Sequence, residues 1–368
     1  MGRVAGWLIV GALVTALTAC SGDQLLAAYL AANGEALQSP AATAPRPMQF
    51  VVQNGSTARM IAENLQNAGL IDDARLFEAY VRVNGIADDL QAGAYTLSPS
   101  MTPVEIAEAL QHAVAPSIRV TVPEGWRLEQ TADALTASTP LDGAEYRRLA
   151  IDPGWRPRTD AGIQDPVSYR FLDLRPGDAT LEGYLYPDTY QLLKERATAE
   201  ALIGRQLDNF ARQVVPLYEK AVAEGKTKLS LHEVLTMASI VEREAVLDEE
   251  RPSIAGVYLN RLNGGMKLDA DPTVQYAMGY QAATGQWWKT PVSLEEYAQV
   301  ESPYNTYLQK GLPPGPIACP GIESIHAVLY PAEHDYLYFV ALPDGSGRHA
   351  FSRTFDEHVE NVRRYQEQ

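Results

Sequence analysis

Two periods of apolar residues alternate along the chain, and together they predict an α+β fold. Residues 49–53 (QFVVQ) read as a strand, Asn54, Gly55 and Ser56 as a turn, and residues 57–68 as a helix burying Ile61, Ala62 and Leu65. The unit returns at residues 119–135, as a strand (RVTV), a turn at Pro123, Glu124 and Gly125, and a helix bearing Thr131, Ala132 and Leu135. The same offset separates Gly55 from Gly125, Ala62 from Ala132 and Leu65 from Leu135. A short helix at residues 103–110 repeats the spacing with Ile106, Ala107 and Leu110, and Gly93, Ala94 and Tyr95 open a return strand. These elements predict a small α/β module at residues 48–117.

Residues 136–180 are poorly periodic and carry Pro140, Pro153, Pro157, Pro166 and Pro176, which predicts short helices and loops. Residues 181–190 (LEGYLYPDTY) are short, aromatic and broken at Pro187 and Asp188. Residues 197–224 form a long amphipathic pattern through Leu202, Leu207, Phe210, Val214, Leu217 and Val222, interrupted at Pro216. A sharply defined helix then starts at Ser230, whose hydroxyl and Glu233 make a capping box, with Leu229 and Val234 as a hydrophobic staple. From residue 234 to 241 it is apolar on almost every side, broken only by Thr236 and Ser239, and a helix of that kind is buried. Leu231, Leu235, Ala238 and Glu242 share one stripe, with Glu244 two residues on and pointing elsewhere. A second helix follows near residues 251–262, then a turn at Gly264 and Gly265, a proline-bounded loop at 301–315, a helix at 324–330, a strand at 335–342 and a surface helix from 355.

Composition adds limits. At 368 residues, 46% hydrophobic and 21% charged, the chain has room for two domains and a substantial core. A net charge of −16 disfavours nucleic acid as a partner but not a neutral or zwitterionic substrate. Two cysteines, Cys20 and Cys319, make neither a disulfide framework nor a zinc site, and no glycine-rich phosphate loop is present. No metal and no cofactor is therefore expected. Arg3 precedes an uncharged apolar run that ends Leu17, Thr18, Ala19, Cys20, which reads either as a lipobox with Cys20 lipidated or as a short uncleaved anchor helix. Both readings tether an extracytoplasmic chain to the membrane. The domain plan is then a signal or anchor at residues 1–20, a flexible linker rich in Ala, Ser, Pro and Gly at 21–47 with room for a short helix at 25–32, the small module at 48–117 and a larger domain at 118–368.

Candidate chemistry concentrates at Glu242. A carboxyl ending an apolar stripe tends to keep its proton and suits a general acid; the plainer alternative is that it pairs with Arg243 or Arg261 and ends the helix. Polar and aromatic residues crowd turns at 182–190, 242–244, 269–276 and 304–316, and such loops suit a sugar, with its hydroxyls and apolar ring faces. LEGYLYPDTY at 181–190, ASIVERE at 238–244, LDADPTVQYAMG at 268–279, YNTY at 304–307, GLPPGPIACPG at 311–321 and YLYFV at 336–340 together resemble the endolytic murein transglycosylase, or YceG-like, family. The resemblance runs from about residue 50 to near the C-terminus.

The resemblance implies a membrane-anchored enzyme with a LysM-like module and a mixed α+β catalytic domain that cuts nascent peptidoglycan strands without a cofactor. Its catalytic Glu is matched to Glu242, the first acid of the VERE run. That carboxyl would protonate the oxygen between N-acetylmuramic acid and N-acetylglucosamine, then deprotonate the muramic 6-hydroxyl to close a 1,6-anhydro ring. Glu182, Tyr186, Asp188, Asp271, Tyr304, Asn305 and Tyr307 become candidate substrate-binding residues. Asp188 and Asp271 also read as turn caps beside prolines, and Asn305 with its tyrosines as loop packing. Arg243 stands where the family often has Lys, and the lipobox replaces a plain transmembrane helix. Peptidoglycan, the membrane and cell-wall synthesis proteins are the expected partners. Two alternatives stay open: a lysozyme-like muramidase with a second acid among Glu182, Asp269 and Asp271, and a tethered peptidoglycan-binding protein with no catalysis.

Overall fold

The computed structural model describes residues 22–112, 117–157 and 166–366, so Cys20 and the N-terminal apolar run lie outside the described residues. The chain divides into two compact units on either side of residues 116 and 117.

In the first unit, α1 (Gly22–Asn33) occupies much of the stretch whose composition suggested a linker. Its Ala- and Leu-rich sequence has high helix propensity, and the unit gives it a surface to lie on. The Tyr29 hydroxyl donates to Asp73 at 2.7 Å, and the Arg75 guanidinium lies 4.7 Å over the Tyr29 ring. The chain then runs through β1 (Met48–Val52), α2 (Ala58–Asn67), α3 (Ala74–Val83), β2 (Gly93–Leu97) and α4 (Pro103–Leu110). The two strands pair antiparallel, Met48 with Leu97 through Val52 with Gly93, which is the expected return strand. Helix α3 has no counterpart in the sequence reading; Asp73 caps it, and it buries Leu76, Phe77, Ala79 and Val81. Phe50, Ile61, Leu65, Phe77, Tyr95, Leu97, Ile106 and Leu110 form one core.

The second unit opens with β3 (Ser117–Val122), α5 (Leu128–Ser138) and α6 (Gly143–Ile151). Its strand partner is β4 (Asp188–Leu193), antiparallel from Ser117 with Leu193 to Val122 with Asp188. The aromatic stretch that looked turn-broken at Pro187 is thus a turn that feeds a strand. The long amphipathic pattern is two helices, α7 (Ala199–Gln213) and α8 (Val215–Ala223), with Pro216 in the first turn of α8 where a missing N–H does no harm. Helix α9 (Leu231–Glu244) carries the expected capping box between Ser230 and Glu233. Then come α10 (Arg251–Asn263), α11 (Asp271–Met278), α12 (Leu294–Gln299), α13 (Ile322–Leu329), the antiparallel hairpin β5 (Tyr338–Ala341) and β6 (His349–Ser352), and α14 (Phe355–Gln366).

Helix α9 is the core of this unit. Val234, Leu235, Met237, Ala238, Ile240 and Val241 are all fully buried, in one cluster with residues of α5, α7, α10 and α13. Among the described residues no helix is long and apolar enough to cross a membrane. Truncating Leu235 to Ala should cost about 2–5 kcal/mol in urea denaturation, because a core this tightly packed collapses poorly around a cavity. Ser230→Ala should cost about 1 kcal/mol through its cap. If the cap substitution proved the larger of the two, α9 would not be the packing centre.

Candidate active site

The polar residues of α9 divide between two faces. On one face, His232 Nε2 bonds the Pro314 carbonyl at 2.9 Å and its Nδ1 the Tyr184 hydroxyl at 3.0 Å. Ser239 Oγ accepts from the Ile317 N–H at 2.9 Å and donates to the Thr236 carbonyl. Glu242 ends this face. Its Oε2 accepts from the Gly321 N–H at 3.0 Å, the Ser324 hydroxyl at 2.7 Å and Arg251 Nη1 at 3.2 Å. The Glu242 side chain is only 7% exposed. Its surroundings are a polar cradle, and the apolar pocket expected of a proton-holding acid is not there. The partner is Arg251, neither of the two arginines that proximity in sequence favoured. Glu124, in the turn after β3, packs its carboxyl against Gly321, where a Cβ would come within 2.2 Å of it. Desolvation, then the neighbouring Glu242 charge, push the Glu124 carboxyl up.

Glu244 stands two residues on, about 200° around the helix, and there the environment changes. It opens on a cleft of about 510 Å³ lined also by Tyr258 and Arg261 of α10, Leu268, Asp269, Asp271, Tyr307, residues of β5, and Phe355 and His358 of α14. The hydroxyl of Tyr258, itself fully buried, donates to Glu244 Oε1 at 2.7 Å. Burial pushes the Glu244 carboxyl up to about 7, with Asp271 adding to the rise while Tyr258, Arg243 and Arg261 oppose it. Arg261 is held on two of its nitrogens: Nε donates to the Leu337 carbonyl, and Nη1 to the Leu268 carbonyl and to Asp269 Oδ2 at 3.2 Å. Asp269 takes a positive φ of 48°, a conformation Asp tolerates better than most residues.

Asp271, at the first turn of α11, accepts from the Tyr307 hydroxyl at 2.6 Å on Oδ1 and the Tyr297 hydroxyl at 2.8 Å on Oδ2. The two tyrosine rings stack with centroids 4.2 Å apart. Asn305 holds that arrangement from beneath. It is 0% exposed, its Nδ2 donates to the carbonyls of Tyr297 and Val300, and its Oδ1 accepts from the Tyr307 N–H. Its amide is thus bonded within the loop on both its nitrogen and its oxygen.

Of the candidates from sequence, the cleft gathers Asp269, Asp271 and Tyr307 beside Glu244, while Glu242 lies on the other face of α9. The others lie elsewhere. Glu182 is buried, accepts from the Leu128 N–H at the start of α5 at 2.9 Å, and is pushed up to about 8 by that burial. Tyr186 is buried with its phenol near Glu124, and Asp188 accepts from Asn209 at 2.7 Å at the head of β4. Tyr304 packs on Tyr276, whose ring also carries the Arg127 guanidinium at 4.1 Å. Sequence reasoning missed Tyr258 and Arg251, and no spacing signal pointed to either. Among the described residues no cluster of His, Cys, Asp and Glu is placed to hold a metal ion.

A partly buried carboxyl that keeps its proton near neutrality, in a cleft rich in aromatics and acids, is the equipment of a protein that acts on a glycosidic linkage. The model described as the YceG-like family matches residues 50–364, and the chain belongs to that family. An endolytic murein transglycosylase of Bacillus subtilis is 33% identical over 315 residues, covering 85% of this chain and 83% of that protein. One of Streptococcus pneumoniae is 30% identical over 325 residues, where the match spans 57% of the longer relative. A solved structure of a yceG-like protein from Listeria monocytogenes, 33% identical, superposes with a TM-score of 0.54 over 86% of this chain and 100% of that one.

The two most strongly raised carboxyls, Glu182 and Glu244, set a pH dependence. Both hold protons in the folded chain at a pH where the unfolded chain, with values near 4.5, has released them. Stability should therefore fall as pH rises from about 4.5, until Glu244 ionises near 7 and Glu182 near 8. Melting temperatures between pH 5 and 8 should decline, and Glu182→Gln should flatten that decline. An unchanged slope in the variant would show that Glu182 is not held neutral.

Proposed function

We propose that this protein is a lytic transglycosylase of peptidoglycan, cutting within glycan strands between N-acetylmuramic acid and N-acetylglucosamine, with Glu244 as its acid and base. The observation that carries the choice of residue is the 2.7 Å bond from Tyr258 to Glu244 Oε1 inside the cleft. With Oε1 accepting, the carboxylic proton belongs on Oε2, free to face a substrate. Glu244 passes that proton to the glycosidic oxygen as the C1–O bond breaks. The Asp271 carboxylate, fixed by two phenols, is the nearby negative charge for the oxocarbenium centre that forms. Glu244, now ionised, takes the proton of the muramic 6-hydroxyl as O6 bonds C1, leaving a 1,6-anhydro end. No water is consumed, so a second catalytic carboxylate is not needed. Glu242 holds the chain around Gly321 and Ser324 in place.

The names of the relatives support the reaction and substrate class. In the same reading, the first unit, with its β–α–α–β order, is a LysM-like glycan-binding module. The N-terminal run ending at Cys20 tethers the chain to the membrane with its catalytic part outside the cytoplasm. Cutting there ends strand elongation next to the cell-wall synthesis proteins.

Glu244→Gln should lower cleavage of purified glycan strands by at least about a hundredfold, while Glu242→Gln, if folded, should lower it far less. A folded Glu244→Gln enzyme keeping a tenth of the activity would overturn the assignment. Because the protonated acid starts the reaction, wild-type activity should decline as pH rises through about 7. Product masses decide between the two enzymes: ends lighter by one water mark the transglycosylase, hydrated ends a muramidase. Removing the first unit should weaken action on intact sacculi more than on short soluble fragments, since a tethered binding module acts through effective concentration. Equal losses on both would remove the binding role.

A further inference from the structure

We propose that α14 and the β5–β6 hairpin form a saccharide-binding subsite of the Glu244 cleft, in which Phe355 and Tyr338 stack on a sugar ring flanking the scissile bond. The proposal rests on the reading of that cleft as a glycan site. Phe355 is 61% exposed although it is one of the large apolar residues, and it lines the same cleft as Glu244. It does not hang loosely: Thr354 and Glu357 cap the start of α14 reciprocally, each side chain accepting from the other's N–H at 3.2 Å. Its ring lies 5.9 Å from that of Tyr338, which stacks on His358 at 5.2 Å with planes 21° apart. Arg261 fixes Tyr338 from another side, its guanidinium 4.9 Å from the ring centroid. The result is a prepositioned aromatic surface continuous with the acid.

The polar groups of the wall fit a neutral sugar better than a charged ligand. His358 Nδ1 is buried without a hydrogen-bond partner, and burial and the Arg261 charge hold the imidazole below its ordinary value, so it is neutral near pH 7. Arg261 directs Nε to the Leu337 carbonyl and Nη1 to the Leu268 carbonyl and Asp269, which sets its charge against an acid of the same wall. The remaining ionisable lining is acidic, Asp269, Asp271 and Glu244, with His349 paired to Glu250 at 2.7 Å. A pyranose presents apolar C–H faces to aromatic rings and hydroxyls to carboxylates, and carries no charge to repel. The volume of about 510 Å³ lies in the range of small-ligand clefts.

Equilibrium binding of soluble, uncrosslinked glycan strands to the full-length Glu244→Gln protein tests this, since the strand then survives the measurement. Adding Phe355→Ala should weaken binding about two- to tenfold, Phe355→Trp should restore it, and Glu360→Gln, exposed on the same helix outside the cleft, should leave it unchanged. In the active enzyme Phe355→Ala should raise KM more than it lowers kcat. Equal affinity with and without the Phe355 ring, at an unchanged melting temperature, would overturn the subsite. Cleavage by the Glu244→Gln protein would instead overturn the acid assignment, whatever Phe355 does to binding.

Discussion

Everything at the centre of the second unit depends on how one face of α9 grips the segment from Pro314 to Ser324. His232, Ser239 and Glu242 bond in turn to Pro314, Ile317, and Gly321 with Ser324. The segment has almost no regular structure of its own, so its backbone groups would otherwise be buried unpaired. Its far side is used as well: Cys319 exchanges both backbone bonds with the turn after β3, to Gly125 and Trp126 at 2.8 Å. Gly183 meets Pro316 so closely that a Cβ would approach to 2.5 Å. One helix, one turn and one aromatic strand entry are thereby locked to a single thread.

That division of labour explains why two glutamates so near in sequence differ so much. Glu242 looks inward at the thread and finds three donors on one oxygen. Glu244 looks the other way and finds one phenol, an anion and open space. Removing a partner from a buried charge pair leaves the remaining charge stranded, which is expensive, so the Glu242 cradle is a constraint on the fold. The Glu244 position is the opposite case: its carboxyl is sparsely satisfied and faces a cleft.

Much of the fold was legible because the signals were local. The capping box at Ser230, the apolar run after it and the strand at Gln49 each carry their own evidence in consecutive residues. Helix α3 was passed over although Asp73 caps it, and β4 was obscured by the turn residues that precede it. The site was harder for a physical reason. An apolar stripe tells which face of α9 is buried, but whether a buried acid meets hydrocarbon or donors depends on residues far along the chain, here Arg251, Gly321 and Ser324. The stripe led to Glu242, and only the long-range contacts show that its carboxyl is bonded by three donors while Glu244 faces the cleft. Asn305 was ambiguous for the same reason, because an amide in an aromatic loop looks alike from sequence whether it faces a ligand or its own backbone.

Tyr258 ties the acidity of one carboxyl to the solidity of the core. Its ring is part of the core, edge-on to Phe339 at 5.8 Å, while its hydroxyl donates to Glu244 at 2.7 Å. A disturbance that shifts this ring by a fraction of an ångström changes the acidity of Glu244 long before the unit unfolds. Change in the surrounding packing is thus also tuning of an acidity, and drift in the core of a relative would be visible as a displaced titration of this carboxyl in a protein that still looks perfectly sound.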